Sequence, residues 1–378
     1  MIIVKNKSKC CGCTACASIC PKHCIAMESD EEGFLYPKVD VNLCVACGAC
    51  ERVCPVTHSG ESRRPLHCYA AKNKDSEVLK SSSSGGVFSL LAEYAIQEKQ
   101  GVVFGAMWEN DRVVHGAVES LDDLYKLRGS KYVQSDLRDC FLQVSKFVKD
   151  GRYVLFSGTP CEIAGLKSYL KKDYNNLLMV DLACHGTPSP KVLSQYITEL
   201  KRTYGVESLQ LSFKDKSTGW STYSVTAKSG DNVLFSERAS ENIFMKGFLH
   251  ELFSRPSCHD CAFKSFRSGS DITLADFWGV EKVLPDYKTV DGVSLVLENT
   301  VKGEEIINIV LQGHEKIDVD YADAIRDNGA LLHSEPSHPQ RKVFFKMMKR
   351  NNITVSIKDS LRLTLMTKMK LYIMKYLT

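Results

Sequence analysis

Cys10-Cys-Gly-Cys-Thr-Ala-Cys-Ala-Ser-Ile-Cys-Pro21 is followed by a second copy of the same spacing, Cys44-Val-Ala-Cys-Gly-Ala-Cys-Glu-Arg-Val-Cys-Pro55. In each copy three cysteines recur at every third position, and a fourth follows with a proline directly behind it. This spacing holds iron–sulfur clusters, the fourth cysteine of each copy crossing over to the other cluster. Cys10, Cys13, Cys16 and Cys54 would hold one [4Fe–4S] cluster, and Cys44, Cys47, Cys50 and Cys20 the other. A module of roughly 50 residues is short of core, so metal–thiolate bonds would supply much of its stability. Zinc asks instead for separated pairs of ligands, and a doubled match to eight cysteines and two prolines favours iron–sulfur over zinc or disulfides.

The pattern is that of the bacterial two-cluster ferredoxins, and it occupies only the front of a chain of 378 residues. With 44% hydrophobic and 25% charged residues, the remainder can form further globular domains. The division expected is a ferredoxin-type domain over 1–58, a polar link over 59–67, a large domain over 68–335 and a basic tail over 336–378. Met1-Ile-Ile-Val-Lys-Asn is too short an apolar run for a signal peptide, and no later run approaches the roughly 18 apolar residues of a membrane span. A cytoplasmic protein is expected, whose 16 cysteines stay reduced and serve as ligands, reactive thiols or buried apolar groups.

Between the cysteine copies, residues 24–28 and 33–40 read as a small hairpin covering the clusters. From Cys68 the pattern becomes an alternation of apolar strands and amphipathic helices. Helices are expected from Gly85, over 137–149, 162–172, 189–204, 242–254 and 303–312, and strands over 101–107, 153–158, 177–183 and 271–276. Strand, helix, strand, helix is the order of a wound α/β sheet. Residues 209–213 and 223–227 alternate with period two and suggest an antiparallel insertion. The fold class expected is thus a small α+β ferredoxin-type domain followed by a larger α/β domain with an additional β-rich part.

Four further cysteines stand where packing alone explains them poorly. Cys161 follows Gly158-Thr-Pro at a strand-to-helix turn, Cys184 precedes His185-Gly at a strand end, and Cys258-His-Asp-Cys261 is a CxxC motif. Strand ends of a wound sheet are where sites collect. Together the four supply enough thiolates for a third [4Fe–4S] cluster or a zinc site, with a redox-active CxxC or separate buried cysteines as the alternatives. Cys11 and Cys24 fall outside the ligand pattern, and Cys68 and Cys140 read as packing residues. Ser81-Ser-Ser-Ser-Gly-Gly86 ahead of an apolar helix is a candidate phosphate cradle, although Ser-Gly also simply caps helices. A one-electron carrier beside an α/β domain invites a cofactor that exchanges single electrons for pairs, as flavin does.

Ser84-Gly-Gly, Gly129-Ser-Lys-Tyr132, Gly158-Thr-Pro-Cys161, Cys184-His-Gly, Arg255-Pro-x-Cys-x2-Cys261 and Asp276-Phe-Trp-Gly279, in this order, resemble the beta subunit of coenzyme F-420 hydrogenase and dehydrogenase. The resemblance runs from about Cys68 to about residue 330. It implies an FAD-binding oxidoreductase with a [4Fe–4S] cluster beside the flavin. It further implies that Ser84, Gly85 and Gly86 meet FAD phosphates, that Gly129, Ser130, Lys131 and Tyr132 line the flavin pocket, and that Cys161, Cys184, Cys258 and Cys261 hold the internal cluster. Lys131 is the candidate catalytic residue, a positive charge for the reduced flavin, against the plainer reading of a solvated lysine. His185 and His259 read as structural histidines before proton relays.

Residues 341–378 carry ten Lys or Arg against one acid, Asp359. A helix over 357–377 with Leu361, Leu365, Met369, Ile373 and Leu377 on one face would either pack on its own domain or meet a membrane surface or an acidic partner. The function expected is an iron–sulfur flavoprotein oxidoreductase linking a ferredoxin-like or other one-electron partner to a small-molecule substrate, F-420 or another, with no nucleic acid involved. The alternative is an electron-transfer subunit that wires a partner enzyme and has no substrate of its own.

Overall fold

The computed structural model describes residues 1–364. In the N-terminal region a two-stranded antiparallel hairpin, β1 (Ile25–Ser29) and β2 (Leu35–Val39), lies beside the two cysteine loops, each of which ends in a single helical turn, Ala15–Ser18 and Ala49–Arg52.

The rest is built on an eight-stranded sheet. Its strands are β3 (His67–Lys72), β4 (Val102–Glu109), β5 (Arg112–Val118), β6 (Val154–Gly158) and β7 (Leu177–Leu182). An insertion follows, a three-stranded antiparallel sheet of β8 (Gln210–Asp215), β9 (Ser224–Ser229) and β10 (Asn232–Arg238). The chain then returns as β11 (Ile272–Asp276), β12 (Ser294–Glu298) and β13 (Glu315–Asp318). The large sheet has the order β13-β3-β12-β11-β7-β6-β4-β5. Its four central strands β11, β7, β6 and β4 are parallel, and every pairing outside them is antiparallel. The carboxyl ends of the central strands therefore open onto one edge, where the turns after β6, β7 and β11 converge.

Alternation along the strands separates two cores. Val102, Phe104, Val154, Phe156, Leu177 and Met179 face the helices Cys140–Lys149 and Pro160–Leu170. Val103, Leu155, Leu178, Val180 and Ile272 face the helices Val87–Glu93 and Val301–Val310. The first core does not stop at the sheet: Cys11, Cys13, Ala15, Cys16, Cys20, Cys24, Ile25, Cys50 and Val53 of the N-terminal region belong to the same apolar cluster. The front of the chain is thus docked on the sheet's helices and shares their interior, where the sequence suggests a module cored only by its metals.

The basic tail begins with a helix at Arg341–Met347, followed by a helical run through 353–364. Phe344, Phe345, Met348, Ile353 and Ile357 are buried against the helices Pro190–Tyr204 and Ile243–Leu249, so this much of the tail packs on its own domain. Leu365, Met369, Ile373 and Leu377 of the expected amphipathic face lie outside the described residues. Among the described residues no helix is long and apolar enough to cross a membrane.

Candidate metal centre

The turn after β6 begins with Thr159-Pro160. Thr159 and Glu162 form a reciprocal capping box and proline takes the first helical position, which pre-organises the helix start. The helix opens two residues earlier than the apolar pattern suggests, and Cys161 sits in its first turn. Cys184 follows β7, and Cys258 and Cys261 come from a short 3-10 turn, Pro256–Asp260, and the residue after it. A cavity of about 400 Å³ is lined by all four of these cysteines together with Lys264, Thr187, Asp181 and Arg255. Three distant parts of the chain therefore bring together the thiols that sequence reasoning grouped.

Cys11 lines the same cavity. Cys13 and Cys161 both lie close enough to perturb its thiol, so it stands between a cysteine of the first loop and a cysteine of the cavity. Its spacing alone could not reveal this, because the approach is tertiary.

Spacing distinguishes the metals these thiols suit. Four sulfurs on one tetrahedral zinc lie about 3.8 Å apart, given Zn–S bonds near 2.3 Å. Among the described residues, the only set of three or more ligand-type side chains with all its ligand atoms within 4.8 Å is His67, Glu298 and Glu304, on β3, β12 and the helix after it. No cysteine set among the described residues is that tight, and a cavity of about 400 Å³ has room for a group larger than one ion. Lys264 crosses the cavity, donating from Nζ to the carbonyl oxygens of Cys184 at 2.6 Å and Ala330 at 2.5 Å. Thr159 Oγ1 lies 3.2 Å from Cys161 Sγ, and Thr187 Oγ1 3.7 Å from Cys258 Sγ. Burial pushes the Cys258 thiol up to about 11 and holds Cys184 well above its ordinary value; for Cys161 the hydrogen bond with Cys11 raises it first, with burial behind. Thiols so placed stay protonated unless a cationic centre draws off their protons.

The first two loops show the crossed arrangement. Cys54 of the second copy is near enough to Cys10 and Cys16 to act on both electrostatically. Cys20 of the first copy shares a small cavity with Cys44, Cys47 and Cys50. Cys24 lies against Cys20 with 3.4 Å between sulfurs. Of the eight, Cys47 alone is exposed. Cys68 and Cys140 are buried in apolar cores.

The two loops tied to flavin by resemblance meet: Ser83 Oγ lies 2.8 Å from Ser130 Oγ. Ser84 and Gly85, however, are engaged within the fold. Ser84 Oγ donates to the Val293 carbonyl at 2.7 Å and the Gly85 amide donates to Ser294 Oγ at 3.0 Å. A Cβ on Gly85 would lie 2.4 Å from the Ala71 carbonyl oxygen, so close packing against β3 and β12 accounts for that glycine. Gly86 has φ +78° and starts the helix. Gly129 is exposed with φ +81° and open space around it. Lys131, half-buried, turns its Nζ onto the carbonyls of Lys126 at 3.1 Å and Arg128 at 2.8 Å, and burial pushes its ammonium down to about 7. Tyr132 packs on Phe213 and Phe248. Beyond them Asp276 pairs with buried Lys214 and accepts from Trp220 Nε1 at 2.8 Å, while Trp220 stacks on Trp278 with 4.9 Å between centroids. His185 is exposed and His259 hydrogen-bonds the Glu335 carbonyl at 3.1 Å.

Comparison with known proteins matches this layout. Residues 9–58 match the 4Fe-4S dicluster domain, and residues 151–320, which include all four cavity cysteines, match the family described as coenzyme F420 hydrogenase/dehydrogenase, C terminus of the beta subunit. The chain joins a 4Fe-4S dicluster domain to a domain of the family of coenzyme F420 hydrogenase/dehydrogenase beta subunits. It is an iron–sulfur electron-transfer protein related to the subunits of those enzymes, as the motifs suggest. An uncharacterized protein of Methanocaldococcus jannaschii is 24% identical over 283 residues, 65% of this chain and 76% of the relative. A subunit of the F(420)H(2) dehydrogenase of Methanosarcina mazei is 25% identical over 196 residues, 46% of this chain, which spans about half (53%) of that relative. A chain in a structure of the F420-reducing [NiFe] hydrogenase complex from Methanosarcina barkeri aligns over 80% of this chain and 91% of its own, at 16% identity and a TM-score of 0.46, a loose likeness. The beta-subunit match begins after Ser84 and Lys131, so it bears on the cavity cysteines and leaves the flavin loops outside it.

Proposed function

We propose that the chain is an iron–sulfur flavoprotein oxidoreductase that joins a one-electron partner to a soluble two-electron substrate, a deazaflavin of the F-420 kind or another small molecule. In this reading Cys10, Cys13, Cys16 and Cys54 hold one [4Fe–4S] cluster, Cys20, Cys44, Cys47 and Cys50 a second, and Cys161, Cys184, Cys258 and Cys261 a third. Gly129, Ser130, Lys131 and Tyr132, with Ser83 beside Ser130 and Gly86 after it, are the residues left to meet FAD, since Ser84 and Gly85 are engaged in packing. Bound, the clusters supply one-electron transfer, and the flavin the exchange between single electrons and pairs.

The observation that carries the reading is the convergence of four thiols from three chain segments on one cavity of about 400 Å³. Buried Phe263, Phe266 and Leu331 form apolar walls of the cavity, and Lys264 places a cation against it. The engaged donors of Ser84 and Gly85 favour a second reading, an electron-transfer subunit without flavin or substrate. Anaerobic purification with iron, sulfide and flavin analysis separates the two. Three clusters give about twelve irons per chain, with one FAD in the first reading and none in the second; about eight irons rejects the third cluster. Cys258→Ala should remove about four irons, and unchanged iron would reject the cavity as a cluster site.

A further inference from the structure

Among the described residues Arg255 is the largest side chain with essentially no exposure, at 1%. It precedes the Cys258 turn, lines the cavity, and points out of the beta-subunit domain into the first cysteine loop. Nε donates to the Cys10 carbonyl at 2.8 Å, Nη1 to Gln134 Oε1 at 2.8 Å, and Nη2 to the Leu35 carbonyl at 2.9 Å, with Cys10 Sγ at 3.7 Å. Its guanidinium lies 4.3 Å from the centroid of Tyr36 and 5.4 Å from that of Phe34. Gly12, at φ +76°, makes the approach possible, because a Cβ there would stand 2.8 Å from Nη1.

None of these partners is a carboxylate. A buried cation without a counter-ion costs several kcal/mol, and carbonyls and rings offset it only in part. Among these partners the one group able to carry the opposing charge is the Cys10 sulfur. An iron–sulfur cluster on four thiolates is anionic, and it becomes more so on reduction. A fixed buried cation beside it stabilises the reduced form more than the oxidised one, which raises its reduction potential.

The other site in the dicluster domain has no buried equivalent among the described residues: Arg52, which folds back over Gly48, and Lys22, which lines the cavity, are both exposed. Its Cys47 is exposed, its Cys50 sulfur accepts from a neutral amide, Ile2 N–H at 3.4 Å, and the nearby Met1 ammonium is solvent-exposed and already paired with Glu51 at 2.7 Å. Water and salt screen such a charge.

We infer that Arg255 makes the site of Cys10, Cys13, Cys16 and Cys54 the higher-potential of the two sites in the dicluster domain. This rests on the eight-cysteine ligand set proposed above. An electron delivered by a one-electron carrier at the exposed Cys47 side then settles one site further in. The outer site is oxidised by one electron, the inner site is reduced by the same electron, and no proton or bond changes hands. Arg255 is a positioning and tuning residue: it touches a ligand's sulfur and backbone and no reacting atom.

The test is a potentiometric titration of the anaerobically purified full chain, followed by electron paramagnetic resonance, with iron measured on every sample. Arg255→Gln keeps donors and removes the charge. It should lower one step by about 59 mV or more, a tenfold loss in the reduced-to-oxidised ratio for a one-electron couple, and leave the others in place. Arg255→Lys should recover most of that shift. Cys47→Ser marks the outer site and should move a different step, lying lower than the one Arg255→Gln moves. Unmoved midpoints in Arg255→Gln at full iron would overturn the inference, as would a Cys47→Ser variant that moves the higher step. If Arg255→Gln loses iron, the order read from Cys47→Ser and the recovery in Arg255→Lys still decide. Wild-type protein without cluster signals would instead defeat the underlying ligand set.

Discussion

Gly165, on the helix Pro160–Leu170, has no room for a side chain: a Cβ would lie 2.7 Å from Cys13 Cβ and 2.9 Å from its sulfur. Gly165→Val should push the Cys13 loop off the helix, remove about four irons per chain and cost about 1–3 kcal/mol by overpacking; iron analysis and denaturant unfolding would show both. Lys131 offers a pH test. Its ammonium titrates near 7, so it is charged below that value and neutral above it, whereas an ordinary lysine holds its proton to about 10.4. Labelling by an amine-reactive reagent, read peptide by peptide in a mass spectrometer, should reach half its maximal rate near pH 7 at Lys131 and only at far higher pH at surface lysines. Labelling of Lys131 that follows the surface lysines would reject the burial argument. At this scale the sequence is most informative where chemistry is repeated. Twelve cysteines could be singled out by spacing and setting, while Cys11, Gln134 and the role of Arg255 could not, since each acts by reaching across more than a hundred residues.

The tip of the β1–β2 hairpin is held from several sides, by the start of the helix Pro190–Tyr204 and by the basic tail. Arg341 donates to Glu32 through both terminal nitrogens, at 2.8 and 2.5 Å, and to the Ser254 carbonyl; Lys349 reaches Glu31 at 2.6 Å, and Ser189 and Lys191 bond the backbone of Glu32 and Glu31. Arg341→Ala should loosen this clamp at a cost of about 1.5–3 kcal/mol, and limited proteolysis should then cut the Ser59–Pro65 link sooner than in the parent. Equal cleavage rates would mean that the Arg255 contacts alone hold the hairpin. The hairpin, the central strands and most helices are legible in the sequence because local periodicity encodes them. The flanking strands β3, β12 and β13 are less so, because their antiparallel pairing joins residues more than 200 apart. The helix expected over 242–254 stops at Leu249, since Glu251 adopts φ +57° and turns the chain toward Arg255.

Across the whole molecule the cysteines differ in exposure: Cys47 is exposed, the four cavity cysteines and Cys10, Cys44 and Cys54 are half-buried, and Cys13, Cys16, Cys20 and Cys50 are buried. Slow exposure to oxygen or an iron chelator should therefore release metal in stages, with about four irons leaving first from the site of Cys20, Cys44, Cys47 and Cys50. Iron release followed in time, with cysteine accessibility mapped at each stage, checks this; simultaneous loss from all sites would contradict it. The wound sheet and the dicluster region are legible from composition and spacing, whereas their fusion into one interior is not, because it depends on which apolar faces find each other. That fusion has a biological consequence. On the proposed ligand set, Cys13, Cys16, Cys20 and Cys50 are also wall residues of the main sheet's core, so a chain made when iron is scarce would have that wall less firmly held beside Phe141. Under that ligand set the lifetime of the polypeptide would follow the iron supply, because the unloaded form would be the less stable one.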